Sequence, residues 1–286
     1  MPDPVVQNPS EYVAYHFGWR HALIAAVSRS LDGITYTQRH GLIAGMRRRG
    51  GLGFLPPWAA GGDALTPELR FLRSLDLTGK VVYDIGAFQG LLTLFFAQTA
   101  RQVVAFEPNP ESHARTVENV RLNALDNVRV VAAACGRAAG TVELSYRADF
   151  PGGASADGEL GGQIGVAGAA GVRRASATVA RLDDLVRREA LPAPDFVKVD
   201  TEGFELAVLE GMPEVLTLYR PRLYLEMHGA TAADKAARVH AIVTFLTAQG
   251  YTRIRHIESG ASITAANAAV AAQGHLYCEA GPALVS

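Results

Sequence analysis

The residues best able to move a proton in this sequence stand at the ends of two short apolar runs. Phe196-Val197-Lys198-Val199 leads into Asp200 and Glu202, and Leu223-Tyr224-Leu225 leads into Glu226 and His228. If the two runs are neighbouring strands, these four groups converge on one cleft and perturb each other's ionisation. His228 is then the natural general base for a hydroxyl nucleophile, because an imidazole titrates near neutrality. Glu226 or Asp200 would orient His228 or the substrate. Asp200, Glu226 and His228 could instead hold a divalent ion such as Mg²⁺, but a nitrogen donor suits that ion poorly, so metal use is not favoured. Plainer readings stand beside these: His228 as a loop histidine, and Lys198 with Glu205 as a salt bridge supporting a helix start.

A second group could hold a ligand. Val81–Ile85 reads as a buried strand that turns through Gly86-Ala87-Phe88-Gln89-Gly90 into a helix, and glycines let backbone approach a ligand closely. The spacing is D-x-G-x-x-x-G rather than G-x-G-x-x-G. A pyrophosphate needs bare amides at the helix start. A methionine ammonium instead favours a carboxylate, which Asp84 supplies. Glu107 ends the next apolar run roughly 20 residues beyond the turn, the position of an acid that binds ribose hydroxyls. Pro108 and Asn109 follow and could pack on an adenine face. In this order, Asp84, Gly86, Ala87, Gly90, Glu107, Pro108 and Asn109 point to S-adenosylmethionine as cofactor.

Elements must position these residues. Short apolar runs alternate with amphipathic stretches from Val81 onward, the pattern of a parallel sheet with helices on both faces. Strands are predicted at Val81–Ile85, Gln102–Phe106, Val128–Ala133, Phe196–Asp200, Arg222–Met227, Tyr251–His256 and His275–Glu279, with helices at Leu91–Gln98, Pro110–Asn123, Phe204–Glu210 and Ala233–Gln249. Gly250 stands where a helix C-cap glycine belongs. Thr141–Tyr146 and Ala175–Ala180 read as an extra antiparallel pair bracketing Pro151–Gly171, a Gly/Ala-rich segment with few large apolar side chains, expected to be a mobile loop or a lid. Residues 10–50 read as helical, with Tyr15, Phe17 and Trp19 as possible acceptor contacts. The domain plan is therefore an N-terminal helical extension or cap over 1–65 and a catalytic domain over 66–286, with a mobile insertion at 150–174.

These segments also carry a resemblance. Asp84-Ile85-Gly86-Ala87-Phe88-Gln89-Gly90, Ala105-Phe106-Glu107-Pro108-Asn109-Pro110, Leu182-Asp183-Asp184-Leu185, Val197-Lys198-Val199-Asp200-Thr201-Glu202-Gly203-Phe204-Glu205 and Leu209-Glu210-Gly211 resemble the FkbM-type methyltransferases, a class I Rossmann-like group. The resemblance runs from Val81 to Gly229. It implies an α/β fold with a seven-stranded, mainly parallel sheet, S-adenosylmethionine over the strand ends, and O-methylation of a small natural product or saccharide. Two departures are Ala87, where members often have a second glycine, and Ala133-Ala134, where many have an acid for the adenine amine. The competing readings are an NAD-dependent oxidoreductase, against which the glycine spacing counts, and a non-catalytic binding module, against which the intact Asp84, Gly86, Gly90 and Glu107 set counts.

Composition bounds partners. The chain is 49% hydrophobic and 19% charged with net charge −1, which argues against nucleic-acid binding through a broad basic face. Arg47-Arg48-Arg49 reads as a solvated helix end. Cys135 and Cys278 form no CxxC and no disulfide framework, so a cytoplasmic setting is expected. Neither a signal peptide nor a membrane span of ~20 apolar residues is visible. His16, His21, His40, His113, His240, His256 and His275 show no ligand spacing. The expected partner is a small-molecule methyl acceptor. The oligomeric state is left open, a homodimer being one option.

Overall fold

Val81–Ile85 (β3) is buried along its whole length, as a central strand covered on both faces must be. The structure, a computed structural model, describes residues 33–50, 66–147, 150–155, 172–229 and 231–282. Around β3 lie β4 (Gln102–Phe106), β5 (Val128–Val131), β10 (Phe196–Val199), β11 (Arg222–Glu226), β12 (Tyr251–His256) and β13 (His275–Ala280). They form one seven-stranded sheet in the order β12-β13-β11-β10-β3-β4-β5. β13 runs antiparallel to both β11 and β12, and the other pairs are parallel. The chain leaves β3 toward β4 and later returns to its other side as β10. That reversal opens a crevice at the carboxyl ends of the strands.

Register makes those ends level. Ile85 pairs with Phe106 on one side and Val199 on the other, and Val199 pairs with Leu225. The residues that follow, Gly86, Glu107, Asp200 and Glu226, therefore stand along one rim. Helices α1 (Pro67–Ser74), α2 (Leu91–Ala97), α3 (Pro110–Leu122), α4 (Leu182–Arg188), α5 (Glu205–Glu210) and α6 (Ala232–Ala248) complete the layers. Tyr83, Ile85, Val104, Val197 and Leu223 face one apolar cluster, while Val82, Val103, Phe196 and Tyr224 face a second one with Phe71 and Phe96. Start signals in the sequence fix the helices. Asn109 accepts from the amides of Glu111 and Ser112 with Pro110 at the first turn of α3, and Thr231 caps α6. Gly250 has φ +84° just past α6, the left-handed cap expected of it. Asp183, within the Leu182–Leu185 motif, is buried and accepts from the Glu214 and Val215 amides at 3.1 Å each. That motif ties α4 to the turn before β11.

Several expectations need correction. Within 33–50 there is no helix; β1 (Thr35–Thr37) and β2 (Arg47–Arg49) pair antiparallel. Arg47–Arg49 is thus a strand and not a helix end. Its backbone is satisfied by α3: Asn123 accepts from the Arg47 amide and donates to its carbonyl, Asn119 accepts from the Arg49 amide, and Arg49 pairs with Glu118 at 2.7 Å. The third strand stops at Val131, because the Ala133 amide turns back to the Val131 carbonyl at 3.1 Å. The extra antiparallel pair is present as β7 (Gly140–Arg147) and β9 (Val172–Ala180), in a four-stranded sheet with β6 (Ala134–Cys135) and β8 (Phe150–Ser155). The first part of the expected loop, Pro151–Ser155, is therefore strand. The remainder, 156–171, lies outside the described residues, as do 1–32 with Tyr15, Phe17 and Trp19, and 51–65. Cys135 and Cys278 are free and buried. Among the described residues no helix is long and apolar enough to cross a membrane.

Candidate active site

A cleft opens over the ends of β4, β3 and β10, lined by Gly86, Phe88, Glu107, Pro108, Ala133, Ala134, Asp200 and Glu202 among others. The glycine turn forms its floor. Gly86 has φ +78°, and a Cβ there would lie 1.7 Å from the Asp200 carbonyl oxygen, so the two strand ends can meet only at a glycine. Gly90 (φ +80°) is pressed against Thr116, whose hydroxyl donates to the Phe88 carbonyl at 2.5 Å. Phe88 itself takes φ +51°, a strained value for a side chain of that size.

The amides of the turn have partners inside the protein. Gly86 and Ala87 both donate to the Phe106 carbonyl, at 2.9 and 3.1 Å, and Phe88 donates to Glu107 Oε2 at 2.7 Å. These three amides are thus committed within the protein and do not point at a pyrophosphate. Glu107 also accepts from the Asn109 amide through Oε1 at 2.8 Å. Each carboxylate oxygen keeps lone-pair capacity toward the cleft, the fit that a ribose diol needs. Burial pushes the Glu107 carboxyl up to about 7, against the opposing pull of the Asn109 and Phe88 amides. Pro108 lies on the cleft wall with Ala133 and Ala134, whereas Asn109 is 1% exposed and serves as the cap of α3.

Asp84 occupies a different place from the one expected of it. It is fully buried beneath the turn, where Thr93 donates to its Oδ2 at 2.5 Å and the Lys198 ammonium lies 3.2 Å from its Oδ1. Lys198 donates to the Gly86 carbonyl at 2.6 Å and also lies 3.2 Å from Asp200 Oδ2. Burial pulls the Lys198 pKa down, but Asp200 and Asp84 outweigh it and hold the ammonium charged. Asp84 therefore balances an internal cation that clamps the turn to β10. The Lys198–Glu205 bridge is not what forms. Glu205 is 2% exposed and accepts from the Gly203 amide at 2.9 Å, and its Oε1 lies 3.0 Å from His228 Nδ1. It organises the Thr201–Gly203 loop, in which Glu202 has φ +51°.

The structure brings Asp200, Glu202, Glu226 and His228 together. His228 Nε2 lies 3.7 Å from Asp200 Oδ1, 3.6 Å from Glu202 Oε2 and 3.6 Å from Glu226 Oε1. Asp200 and Glu202 line the cleft, with His228 and the more exposed Glu226 beside them. Burial works against the imidazolium, but Glu202, Glu205 and Glu226 outweigh burial and hold His228 well above its ordinary pKa. A histidine already protonated cannot take up a proton, so the geometry does not favour His228 as the general base. Burial and neighbouring acids push the Asp200 and Glu202 carboxyls up, although Lys198 and His228 oppose the shift. Ligand atoms of Asp200, Glu226 and His228 fall within 4.8 Å of one another. The ammonium of Lys198 stands beside Asp200, and the imidazole is engaged by Glu205, which suits a divalent ion poorly.

One further group was not legible. Glu258 Oε1 lies 2.6 Å from His275 Nδ1, Glu258 Oε2 lies 2.9 Å from His256 Nε2, and His275 Nε2 faces Glu226 Oε2 and Glu68 Oε1 at 3.7 Å each. The ring of His275 stacks on Tyr224 at 5.0 Å. Burial opposes protonation of His275, but Glu226 and Glu258 push its pKa up to about 10. The available signal was topological: β12 and β13 pair with His256 opposite Leu276, which brings His275 and His256 to one end of the hairpin.

The strand order, with one antiparallel strand next to the last position, defines a class I methyltransferase sheet. Residues 84–253 match the methyltransferase FkbM domain, and the chain belongs to that family. The hexuronic acid methyltransferase AglP of Haloferax volcanii is 33% identical over 155 residues, covering 52% of this chain and 56% of that protein. Methyltransferase sdnD of Sordaria araneosa is 29% identical over 165 residues, covering 46% and 60%. The alignments thus span little more than half of these relatives. A crystal structure of methyltransferase FkbM from Methylobacillus flagellatus KT is 17% identical with a TM-score of 0.45, covering 72% of this chain and 45% of that one.

Proposed function

We propose that this chain binds S-adenosylmethionine in the cleft and transfers its methyl group to a hydroxyl of a small polar acceptor, of the saccharide or natural-product kind. The observation that carries the reading is Glu107, a buried acid with spare acceptor capacity opposite a turn whose amides are already engaged. That combination suits a nucleoside diol and not a dinucleotide pyrophosphate. The saccharide acceptor rests on the relative named for a hexuronic acid. S-adenosylmethionine, when bound, supplies an electrophilic methyl group on a positively charged sulfur.

The protein's part is mostly alignment. Glu107 and the Gly86–Gly90 turn hold the cofactor, with Pro108 and Ala133-Ala134 beside its base. Lys198 keeps the turn and β10 in register through Gly86, Asp84 and Asp200. Asp200, the cleft-wall acid beside the Lys198 ammonium, receives the hydroxyl proton. His228 acts as a positioning residue: gripped by Glu205, it orients the neighbouring Asp200 and Glu202. No step needs a metal ion.

Calorimetric titration of Glu107→Gln tests the anchor. Losing one charge-assisted partner of a diol costs about 1.5–3 kcal/mol, so affinity should fall by about 10- to 100-fold; wild-type affinity would remove Glu107 from the site. The raised carboxyl adds a pH signature. The diol donates to the ionised acid, so wild-type affinity should weaken as pH falls through about 7. The sign in the ligand-free protein is opposite. There an ionised, buried Glu107 costs stability, and protonation on going below about 7 relieves that cost.

A further inference from the structure

We propose that Arg48, with the Gln89 carboxamide beside it, forms a site for an oxyanion next to the cleft, a carboxylate or phosphate group of a ligand. Strand alternation sends Arg48 to the side of β2 opposite Arg47 and Arg49. Arg49 has its carboxylate in Glu118. Arg48 instead stands opposite Tyr36 in the hairpin and reaches the glycine turn, where its Nη2 donates to Gln89 Oε1 at 3.4 Å. Gln89 directly follows Phe88, which lines the cleft.

The Arg48 guanidinium is short of partners for its setting. It carries five N–H donors in a planar fork that matches a carboxylate or phosphate, and Gln89 takes one of them. Among the described residues no carboxylate ion-pairs with Arg48. The acids of α3 go elsewhere, Glu118 to Arg49 and Glu111 to Arg173. Burial pulls the Arg48 pKa down; Tyr36 opposes that, and the Arg115 guanidinium lowers it further. Arg115 makes a further contact of its own, so the anion's partner is Arg48. A partly buried charge with no counter-ion costs stability until an anion joins it. The unused donors of Arg48 are open to solvent, so a ligand can reach them. Gln89 gives its carboxamide oxygen to Arg48, which leaves its NH₂ group to donate to the same anion.

The site does not depend on the cofactor reading; only one of its two possible anion sources does. Thermal unfolding of the whole chain, titrated with inorganic phosphate at an ionic strength held constant with chloride, tests the site. The wild-type Tm should rise with phosphate and level off, beyond any rise in Arg48→Gln. Without phosphate, Arg48→Gln should melt at or above the wild-type temperature, because it removes a charge that lacks a counter-ion; a lower Tm would mark Arg48 as structural and count against the proposal. Calorimetry with S-adenosylmethionine and its decarboxylated form, in phosphate-free buffer, separates the sources. If the anion is the cofactor's carboxylate, wild-type protein should prefer S-adenosylmethionine by at least about tenfold, and Arg48→Gln should bind both alike. Equal affinities with the phosphate response intact would assign the anion to a second ligand, such as the methyl acceptor. Equal affinities together with a wild-type Tm that follows phosphate no more than Arg48→Gln would overturn the proposal. Failure of both cofactor forms to bind would refute the cofactor reading, and the phosphate response would still decide the site.

Discussion

Lys198→Met is expected to cost about 3–5 kcal/mol of folding stability, the price of removing one partner from a buried ion pair. The side chain is 3% exposed, and its ammonium is shared by Asp84, Asp200 and the Gly86 carbonyl. Methionine fills much of the same volume, so the loss is electrostatic and not a cavity effect. Without Lys198, Asp84 is a fully buried carboxylate whose remaining hydrogen-bond partner is Thr93. The sign with pH follows from this. The deficit should shrink as the solution is acidified and the stranded acids take up protons. Urea denaturation measures it, and a change under about 1 kcal/mol would show that Lys198 is not the clamp described. Adding Asp84→Asn to Lys198→Met should recover part of the loss, because it removes the charge left behind.

Gly86→Ala should be nearly as damaging, and more so to binding. The new Cβ would sit 1.7 Å from the Asp200 carbonyl oxygen and 2.9 Å from its carbon. Neither atom can rotate away, so β3 and β10 would have to part at the point where the cleft begins. Overpacking of about 1–3 kcal/mol adds to left-handed strain of roughly 1–2 kcal/mol. Gly79→Ala isolates the strain. Gly79 has φ +70°, and a Cβ added there would meet nothing within 4 Å, so only the backbone cost of about 1–2 kcal/mol should appear. Thermal unfolding and cofactor titration of both variants check the contrast. Equal effects would mean that the Asp200 contact is not what requires glycine.

Strand positions were readable because burial on both faces leaves near-continuous apolar runs. Gln102–Phe106 and Phe196–Val199 lie where their composition put them. The convergence of Asp200, Glu202, Glu226 and His228 was readable for a related reason: residues just past parallel strands share one rim. Pairing within the cluster was not. Lys198 alternates to the same side as Asp200, yet whether it meets Glu205 or Asp84 depends on the register between β10 and β3, which no local pattern encodes. His228 looked like a base because its intrinsic pKa is near neutral. Four surrounding carboxyls change that, three of them from the 200–205 segment, which only the pairing of β10 with β11 brings to His228. The error at Arg47–Arg49 has the same origin. Its strand is completed by Asn119 of α3 and by Asn123 just past its end, some seventy residues away in sequence, so helical periodicity nearby carried no information about it.

Everything proposed about function depends on which nucleotide ligand the cleft accepts. The most direct measurement is calorimetric titration of the purified chain with S-adenosylmethionine and, separately, with NAD. The engaged amides of Gly86, Ala87 and Phe88 and the diol-binding Glu107 predict saturable binding of S-adenosylmethionine and none of NAD. Saturable binding of NAD with no binding of S-adenosylmethionine would contradict the account.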